Sequence, residues 1–272
     1  DYVFVTDNGN PDNGIQKFTD NGTYITGWGT VGLQPGGFIN PSGIGVDSSG
    51  NVYVNDFGEN NRVQKFDSNG KFIMTWGSKG SGEGQFDFPR QVAVDKDVKF
   101  VYVADSNNHR IQKFDSNGNF IKSWGSKGTG DGQFNAPVSV VIDSKGNIVV
   151  NERGGNSTVQ KFDSDGNFLL KFGSEGSGDG QVSHVEHIAV DKYDNIYVND
   201  PQSDKTGSGI PRVQKFDTNG NFITKWGSEG TGDGQFIDPE HLAIDSDGYV
   251  YVSDRGKNNI QVFKPIDMVP HQ

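Results

Sequence analysis

Val63-Gln64-Lys65-Phe66-Asp67-Ser68-Asn69-Gly70-Lys71-Phe72 returns along the chain with little change. Copies run from Ile111 to Phe120, Val159 to Phe168 and Val213 to Phe222; a worn copy spans Ile15 to Tyr24, and a shortened one ends the series at Ile260-Gln261-Val262-Phe263. Counted from the glutamine (Gln16, Gln64, Gln112, Gln160, Gln214, Gln261), successive steps are 48, 48, 48, 54 and 47 residues. A period of this size is the mark of a repeat architecture in which each copy is one supersecondary unit.

One full repeat shows what the unit is. Val92-Ala93-Val94-Asp95 reads as a short strand, A, and Phe100-Val101-Tyr102-Val103-Ala104-Asp105 as strand B. After a polar loop, Ile111 to Phe114 is strand C. The turn Asp115-Ser116-Asn117-Gly118 leads to strand D, which closes at Trp124. The pieces are short, rich in β-branched and aromatic residues, and bounded by Asp, Asn and Gly. Apolar residues never recur at helical spacing over a dozen positions, so no helix competes. Four strands in a meander, repeated radially, make a propeller. There are six B and six C copies but five A and five D copies, which predicts an all-β, six-bladed propeller in one domain, 1–272, with the first and last blades incomplete. Pro265 to Val269, residues outside this chain, or a partner are the candidates for completing the ring, and an open strand edge favours self-assembly.

Composition agrees with a folded, turn-rich protein. Apolar residues make 32%, and with the 39 glycines about 46%, an ordinary globular value. A net charge of −11 with no basic stripe makes nucleic acid a poor partner. No apolar run approaches the ~18 residues of a membrane helix. The absence of cysteine excludes disulfides and thiolate metal sites. The chain starts at Asp1 and carries two glycosylation sequons, at Asn21 and Asn156; with a leader presumed removed, these point to an extracellular or cell-surface location.

Two kinds of loop invite a functional reading. The glycine-rich connectors, such as Ser78 to Phe86, run into strands rather than helices, so they read as crossovers closed by a packing Phe, not as phosphate cradles. The Asp-Ser-Asn-Gly turns return to strand within five residues; they suit type I turns better than calcium loops. Trp28, Trp76, Trp124 and Trp226 occupy one repeat position and read as packing residues.

The string Pro-x-x-Val-Ala-Val-Asp (Pro89 to Asp95), then Gly-Asn-Val-Tyr-Val-Asn-Asp (Gly50 to Asp56), then Asn-Arg-Val-Gln-Lys-Phe-Asp (Asn61 to Asp67) resembles the NHL repeat. That resemblance covers nearly the whole chain. It implies a six-bladed propeller used mostly as a binding platform, with a few enzymes among its relatives.

Comparison of the copies with one another locates the variable part. The A–B and C–D turns barely change, whereas the B–C loops and the residues just before strand A change greatly. In a meander these two sets share one end of the sheet, and loops on a rigid scaffold are where sites form. With strand A innermost, Arg90, Gln91, Glu186, His187, Glu240 and His241 ring the channel mouth, joined by Asn55, Glu152, Arg153, Asn199 and Arg255 just after strand B. The leading expectation is a secreted binding or scaffolding module, with a protein or glycan partner on this face contacted by Asn55, Arg90, Gln91, Glu152, Arg153, Glu186 and Asn199.

The alternative is a metal-dependent lyase or hydrolase at the channel mouth. His187 and His241, on adjacent blades, are its candidate ligands for one divalent metal, zinc or calcium, with Arg255 and Glu240 as candidate catalytic groups. This arrangement also resembles, more distantly, the peptidyl-α-hydroxyglycine α-amidating lyases, in which histidines before inner strands hold a metal and a channel arginine assists. His187 and His241 match that histidine position, and Arg255 resembles the arginine. Gly43, Gln91 and Ser139 stand at the corresponding places where that family has a third histidine, and its disulfides are absent.

Overall fold

The computed structural model describes residues 2–9, 12, 14–154, 157–201 and 211–265. These residues form six antiparallel sheets and no helix. Blade 1 is β1 (Tyr2–Thr6), β2 (Ile15–Thr19) and β3 (Tyr24–Trp28); a two-residue parallel pair follows, β4 (Thr30–Val31) with β5 (Gly37–Phe38). Blade 2 is β6 (Pro41–Val46), β7 (Val52–Asp56), β8 (Arg62–Phe66) and β9 (Phe72–Trp76). Blade 3 is β10 (Pro89–Val94), β11 (Phe100–Asp105), β12 (Arg110–Asp115) and β13 (Phe120–Trp124). Blade 4 is β14 (Pro137–Ile142), β15 (Ile148–Glu152), β16 (Val159–Phe162) and β17 (Phe168–Phe172). Blade 5 is β18 (His187–Val190), β19 (Ile196–Asp200), β20 (Arg212–Phe216) and β21 (Phe222–Trp226), and blade 6 is β22 (Pro239–Ile244), β23 (Val250–Asp254) and β24 (Asn259–Phe263).

Blades 2 to 5 are complete four-stranded meanders, whereas blade 1 has no inner strand and blade 6 no outer strand among the described residues. Of the segment considered as a missing outer strand, residues 266–269 lie outside the described residues, as does most of the insertion 202–211. The Tyr251 hydroxyl donates to the Asp20 carbonyl at 3.5 Å, joining blade 6 to blade 1.

Each residue of the repeat has a physical task. The valine or isoleucine is fully buried in blades 1 to 5 (Ile15, Val63, Ile111, Val159, Val213), whereas Ile260 of blade 6 is exposed. The glutamine grips the connector arriving from the previous blade: Gln112 accepts from the Gly84 amide at 3.0 Å and donates to the Gln85 carbonyl at 2.6 Å, and Gln64, Gln160, Gln214 and Gln261 do the same in their blades. The lysine is buried against a turn aspartate of its own blade, as in Lys161–Asp143 at 2.8 Å. It also reaches the next blade, where Lys113 Nζ donates to the Ser164 carbonyl at 2.8 Å. The phenylalanine receives two rings from the preceding blade and connector: Phe114 meets Trp76 at 6.0 Å and Phe86 at 5.6 Å. The tryptophans are therefore packing residues, and the connector phenylalanines fill the gaps between sheets.

The closing aspartate makes the turn. Asp67 Oδ1 accepts the amides of Asn69 and Lys71 at 2.8 and 2.9 Å. These bonds hold its carboxyl below the usual range, and Asp115 and Asp163 repeat them. The carboxylates are thus committed to backbone amides, the arrangement of a hairpin turn. Gly70, at φ 84°, sits so close to the Trp28 ring that a Cβ would fall 2.5 Å from it, so this position needs glycine both for its backbone and for its neighbour.

Candidate binding face and channel mouth

The B–C loops and the connectors entering strand A share one end of the propeller and are bonded to each other there. The amides of Phe57, Asn107, Arg153 and Arg255 donate to the carbonyls of Asn40, Asp87, Ala136 and Asp238 in their own blades. Below each contact a buried carboxylate at the end of strand B binds the connector amides. Asp56 accepts from Ile39 and Asn40, and Asp254 from Ile237 and Asp238. In blade 4 this post is filled by Glu152, which accepts from the Asn135 amide and Thr158 Oγ1. Burial pushes its carboxyl up despite those bonds. Glu152 is thus built into the loop anchor.

A second set of bonds staples neighbouring blades. Asn199 Nδ2 donates to the Pro239 carbonyl at 2.8 Å and Asn151 Nδ2 to the Val185 carbonyl at 2.9 Å. Thr6 Oγ1 donates to the Ser42 carbonyl, and Ser42 Oγ to the Arg90 carbonyl. Asn199 belongs to this scaffold. Asn55, at the matching post of blade 2, is fully buried with both amide atoms unpartnered among the described residues.

The inner strands β6, β10, β14, β18 and β22 line a central cavity of about 240 Å³. Its lining includes the apolar side chains of Ile44, Val141, Ile188, Val190, Leu242 and Ile244; Gln91 and His187 stand at the end where these strands begin. Gln91 Nε2 donates to the Ile44 carbonyl at 3.2 Å. β-bulges at the start of β6, β10, β14 and β22 lie at this rim, a place where bulges re-aim side chains.

The charged residues above the cavity fall into two paired groups and one exception. Arg153 Nη2 lies 2.8 Å from Glu186 Oε1, across the junction of blades 4 and 5, and its Nε donates to His184 Nε2 at 2.7 Å. His184 Nε2 is also 2.7 Å from the same Glu186 oxygen, so the proton on that nitrogen decides which contact is a hydrogen bond. Burial pushes Glu186 up, but the His184 bond and the charges of Arg153, His184 and Arg90 outweigh it and hold its carboxyl below the usual range. Arg255 pairs with Asp238 at 2.6 Å and Glu240 at 3.1 Å within blade 6. Burial and the nearby Glu186 charge nonetheless raise the Glu240 carboxyl. The Arg90 guanidinium makes no hydrogen bond or ion pair among the described residues; it stands 5.0 Å over the Phe88 ring, which packs on Phe57 at 4.3 Å.

His187 and His241 are brought together as their register predicts, with ring centroids 4.9 Å apart and planes at 52°. His187 is buried; burial and the neighbouring His241 drive its pKa well down. His241 is enclosed by protein but keeps contact with the channel solvent. The nearest carboxylates, Glu186 and Glu240, are committed to Arg153 and Arg255, and no group of three or more His, Asp or Glu among the described residues is disposed to hold a metal. The donor set does not fit the metal site expected at His187 and His241, which leaves Arg255 and Glu240 as an ion pair at the rim.

Sequence reading passed over His184. It replaces Phe88, Ala136 and Asp238 of the other connectors, and that departure was the available signal. His109 also carries a contact that its place in a variable loop does not announce. His109 Nδ1 accepts the Ala136 amide at 3.0 Å, tying blade 3 to the next connector.

Comparison with known proteins supports this architecture. Residues 38–66 and 86–114 match the NHL repeat. A 50-residue stretch is 42% identical to the E3 ubiquitin-protein ligase TRIM71 of Rattus norvegicus, covering 18% of this chain and 6% of that protein. A 47-residue stretch is 45% identical to the Bos taurus protein of the same name, covering 17% and 5%. The match thus spans a small fraction of these relatives' length. Among solved structures, Kuenenia stuttgartiensis hydrazine synthase superposes with a TM-score of 0.66 at 18% identity, over 96% of this chain and 72% of that one. A streptogramin B lyase superposes with a TM-score of 0.63 at 15% identity, over 95% and 74%. These structures share the fold. The chain is a six-bladed β-propeller that carries NHL repeats at residues 38–66 and 86–114.

Proposed function

We propose that this propeller is a binding scaffold whose partner, a protein or a protein-borne glycan, docks on the end carrying the B–C loops. One observation carries the reading. Phe57 and Phe88 pack against each other at that end, both partly exposed, with the Arg90 guanidinium over the Phe88 ring. Aromatic and arginine side chains held rigidly at a surface are the residues that dominate binding energy at interfaces. Phe88 is held there at φ 62°, a left-handed conformation costly for a bulky residue. The opposite end presents near-identical Asp/Asn/Gly turns. The curated relatives are named as ubiquitin ligases, but what this chain shares with them is repeat-sized, so binding rather than ligation is proposed.

The test compares partner recovery by crosslinking and mass spectrometry from the native source. It uses the wild type, a Phe57→Ala/Phe88→Ala variant and a turn-end Asn117→Ala/Asn219→Ala control. Partners lost only from the first variant support the reading; equal recovery from all three refutes it. We further propose an extracellular or cell-surface location. Asn21 of the first sequon is exposed in a turn, open to glycosylation. A mass loss on enzymatic deglycosylation of the natural protein supports that location, and an unmodified Asn21 counts against it.

A further inference from the structure

Two strand edges meet at the junction of blades 6 and 1, and both are open. Among the described residues β24 has no strand on its outer side and β1 none on its inner side. The side chains there reflect it. Ile260 is 38% exposed, whereas Val63, Ile111, Val159 and Val213, at the same place in blades 2 to 5, are at most 1% exposed. The repeat phenylalanine of a complete blade meets three rings: the tryptophan of the preceding blade, the connector phenylalanine and the first aromatic of its own strand D. Phe114 meets Trp76, Phe86 and Phe120 in this way. Among the described residues Phe263 meets only the first two, Trp226 and Phe236, and Phe18 only the third, Tyr24. Gln16 bonds Asp7 of its own blade at 2.8 Å and grips no connector among the described residues. The group that matches Phe263 is the start of a strand D. The groups that match Phe18 and Gln16 are the end of that strand and the connector after it, so one continuous stretch serves all three.

We propose that one extended segment of the repeat's own D-connector-A type, carried by the polypeptide ahead of β1, docks across this junction and closes the ring. The four complete junctions give its chemistry and its length. In each, 23 residues run from the first of strand D to the last of strand A: 72–94, 120–142, 168–190 and 222–244. Their registers carry over. The segment's first aromatic lies opposite Phe263, the aromatic four residues on lies opposite Ile260, and its last residue lies opposite Val3. Main-chain bonds along both edges and three aromatic contacts hold it, the mode by which an exposed sheet edge takes an added strand. Chain direction selects the source. Strand A precedes strand B, so the segment runs into β1 through the same short turn as in blades 2 to 6. The other end of the chain does not serve. The C–D turns of blades 1 to 5 have glycine at φ 77° to 85° four residues after the repeat phenylalanine (Gly22, Gly70, Gly118, Gly166, Gly220), and after Phe263 that place is taken by Asp267.

A synthetic peptide with the sequence of residues 222–244 is the probe, titrated calorimetrically into the whole chain. The expected result is one peptide per chain, a melting temperature that rises with peptide concentration, and new amide protection in hydrogen exchange confined to β1 and β24. Alanine at the three aromatic positions of the peptide, those of Phe222, Trp226 and Phe236, weakens binding at least about tenfold. Ile260→Asp in the chain does the same, whereas Ile121→Asp, at a similarly exposed place on the outer strand of blade 3, leaves binding unchanged. Both positions face solvent, and urea unfolding of each variant establishes that it is folded. No saturable binding, or new protection in other strands, overturns the proposal. Intact mass and N-terminal sequencing of the natural protein test the source. Residues ahead of Asp1 with aromatics at the spacing of Phe222, Trp226 and Phe236 support it, and a natural chain starting at Asp1 overturns it. A dimer of the whole chain that the peptide dissociates assigns the edges to a second copy and likewise overturns it.

Discussion

His187 and His241 face each other at 4.9 Å across the junction of two inner strands, and their surroundings make them a neutral pair. Burial lowers the pKa of both; for His187 the other ring adds to it, whereas for His241 the nearby Glu186 charge opposes it more than the Arg90 charge reinforces it. A cation at His187 is therefore disfavoured twice, by lost hydration and by a neighbouring positive charge.

The first prediction concerns pH. Because the folded pKa of His187 lies below the unfolded value near 6.5, the unfolded chain binds the proton first as pH falls. The stability linked to this group is complete above about pH 6.5 and declines below it toward the folded pKa. Asp56, Asp105, Glu152 and Glu240 have raised pKa values and act with the opposite sign: their contribution is complete below the unfolded carboxylate range and is lost as pH rises through the folded pKa. The informative quantity is thus the difference between wild type and His187→Gln. We expect the urea midpoint of the wild type to fall more steeply than that of the variant between pH 7 and 5.

Gln112 supports the second prediction. It is fully buried and bonds the Gly84 amide, the Gln85 carbonyl and Asp105 Oδ2. Gln112→Ala leaves the Gly84 amide without its partner, removes one bond each from the Gln85 carbonyl and Asp105 Oδ2, which Arg110 still holds, and opens a cavity. Equilibrium unfolding should show a loss of about 2–4 kcal/mol.

Gly43 supplies a third. A Cβ there would lie 2.3 Å from the Arg90 carbonyl oxygen and 2.5 Å from the Gln91 Cα, backbone atoms that cannot turn aside. Blades 2 and 3 are packed too closely for any side chain at this position. Gly43→Ala should cost about 1–3 kcal/mol by overpacking, measured by thermal or urea unfolding.

The fourth concerns metal. With Glu186 and Glu240 held by arginines and no third ligand beside the two rings, chelator treatment should leave the melting temperature unchanged. Elemental analysis should find no stoichiometric zinc. About one zinc per chain, lost in a His187→Ala/His241→Ala variant, would restore the metal-site reading.

The architecture was legible in the sequence because each residue of Val-Gln-Lys-Phe-Asp works within its own blade or on the immediate neighbour, and the period repeats those tasks. The 48-residue step, the Asp-Asn-Gly turns and the aromatic at the end of each D strand all follow from contacts of fixed sequence spacing. The pairing of His187 with His241 was legible for the same reason: equivalent positions in adjacent blades meet. What the sequence could not decide is which charged groups find partners at the mouth. Glu152 and Asn199 look like site residues but are held by the scaffold, through Asn135, Thr158 and Pro239. His184 gains its role from an arginine 31 positions away, in the preceding blade. The Arg90 guanidinium has no ion pair among the described residues, while those of Arg153 and Arg255 do. Those outcomes depend on distances across the channel between side chains of different blades, and only closure of the ring sets those distances.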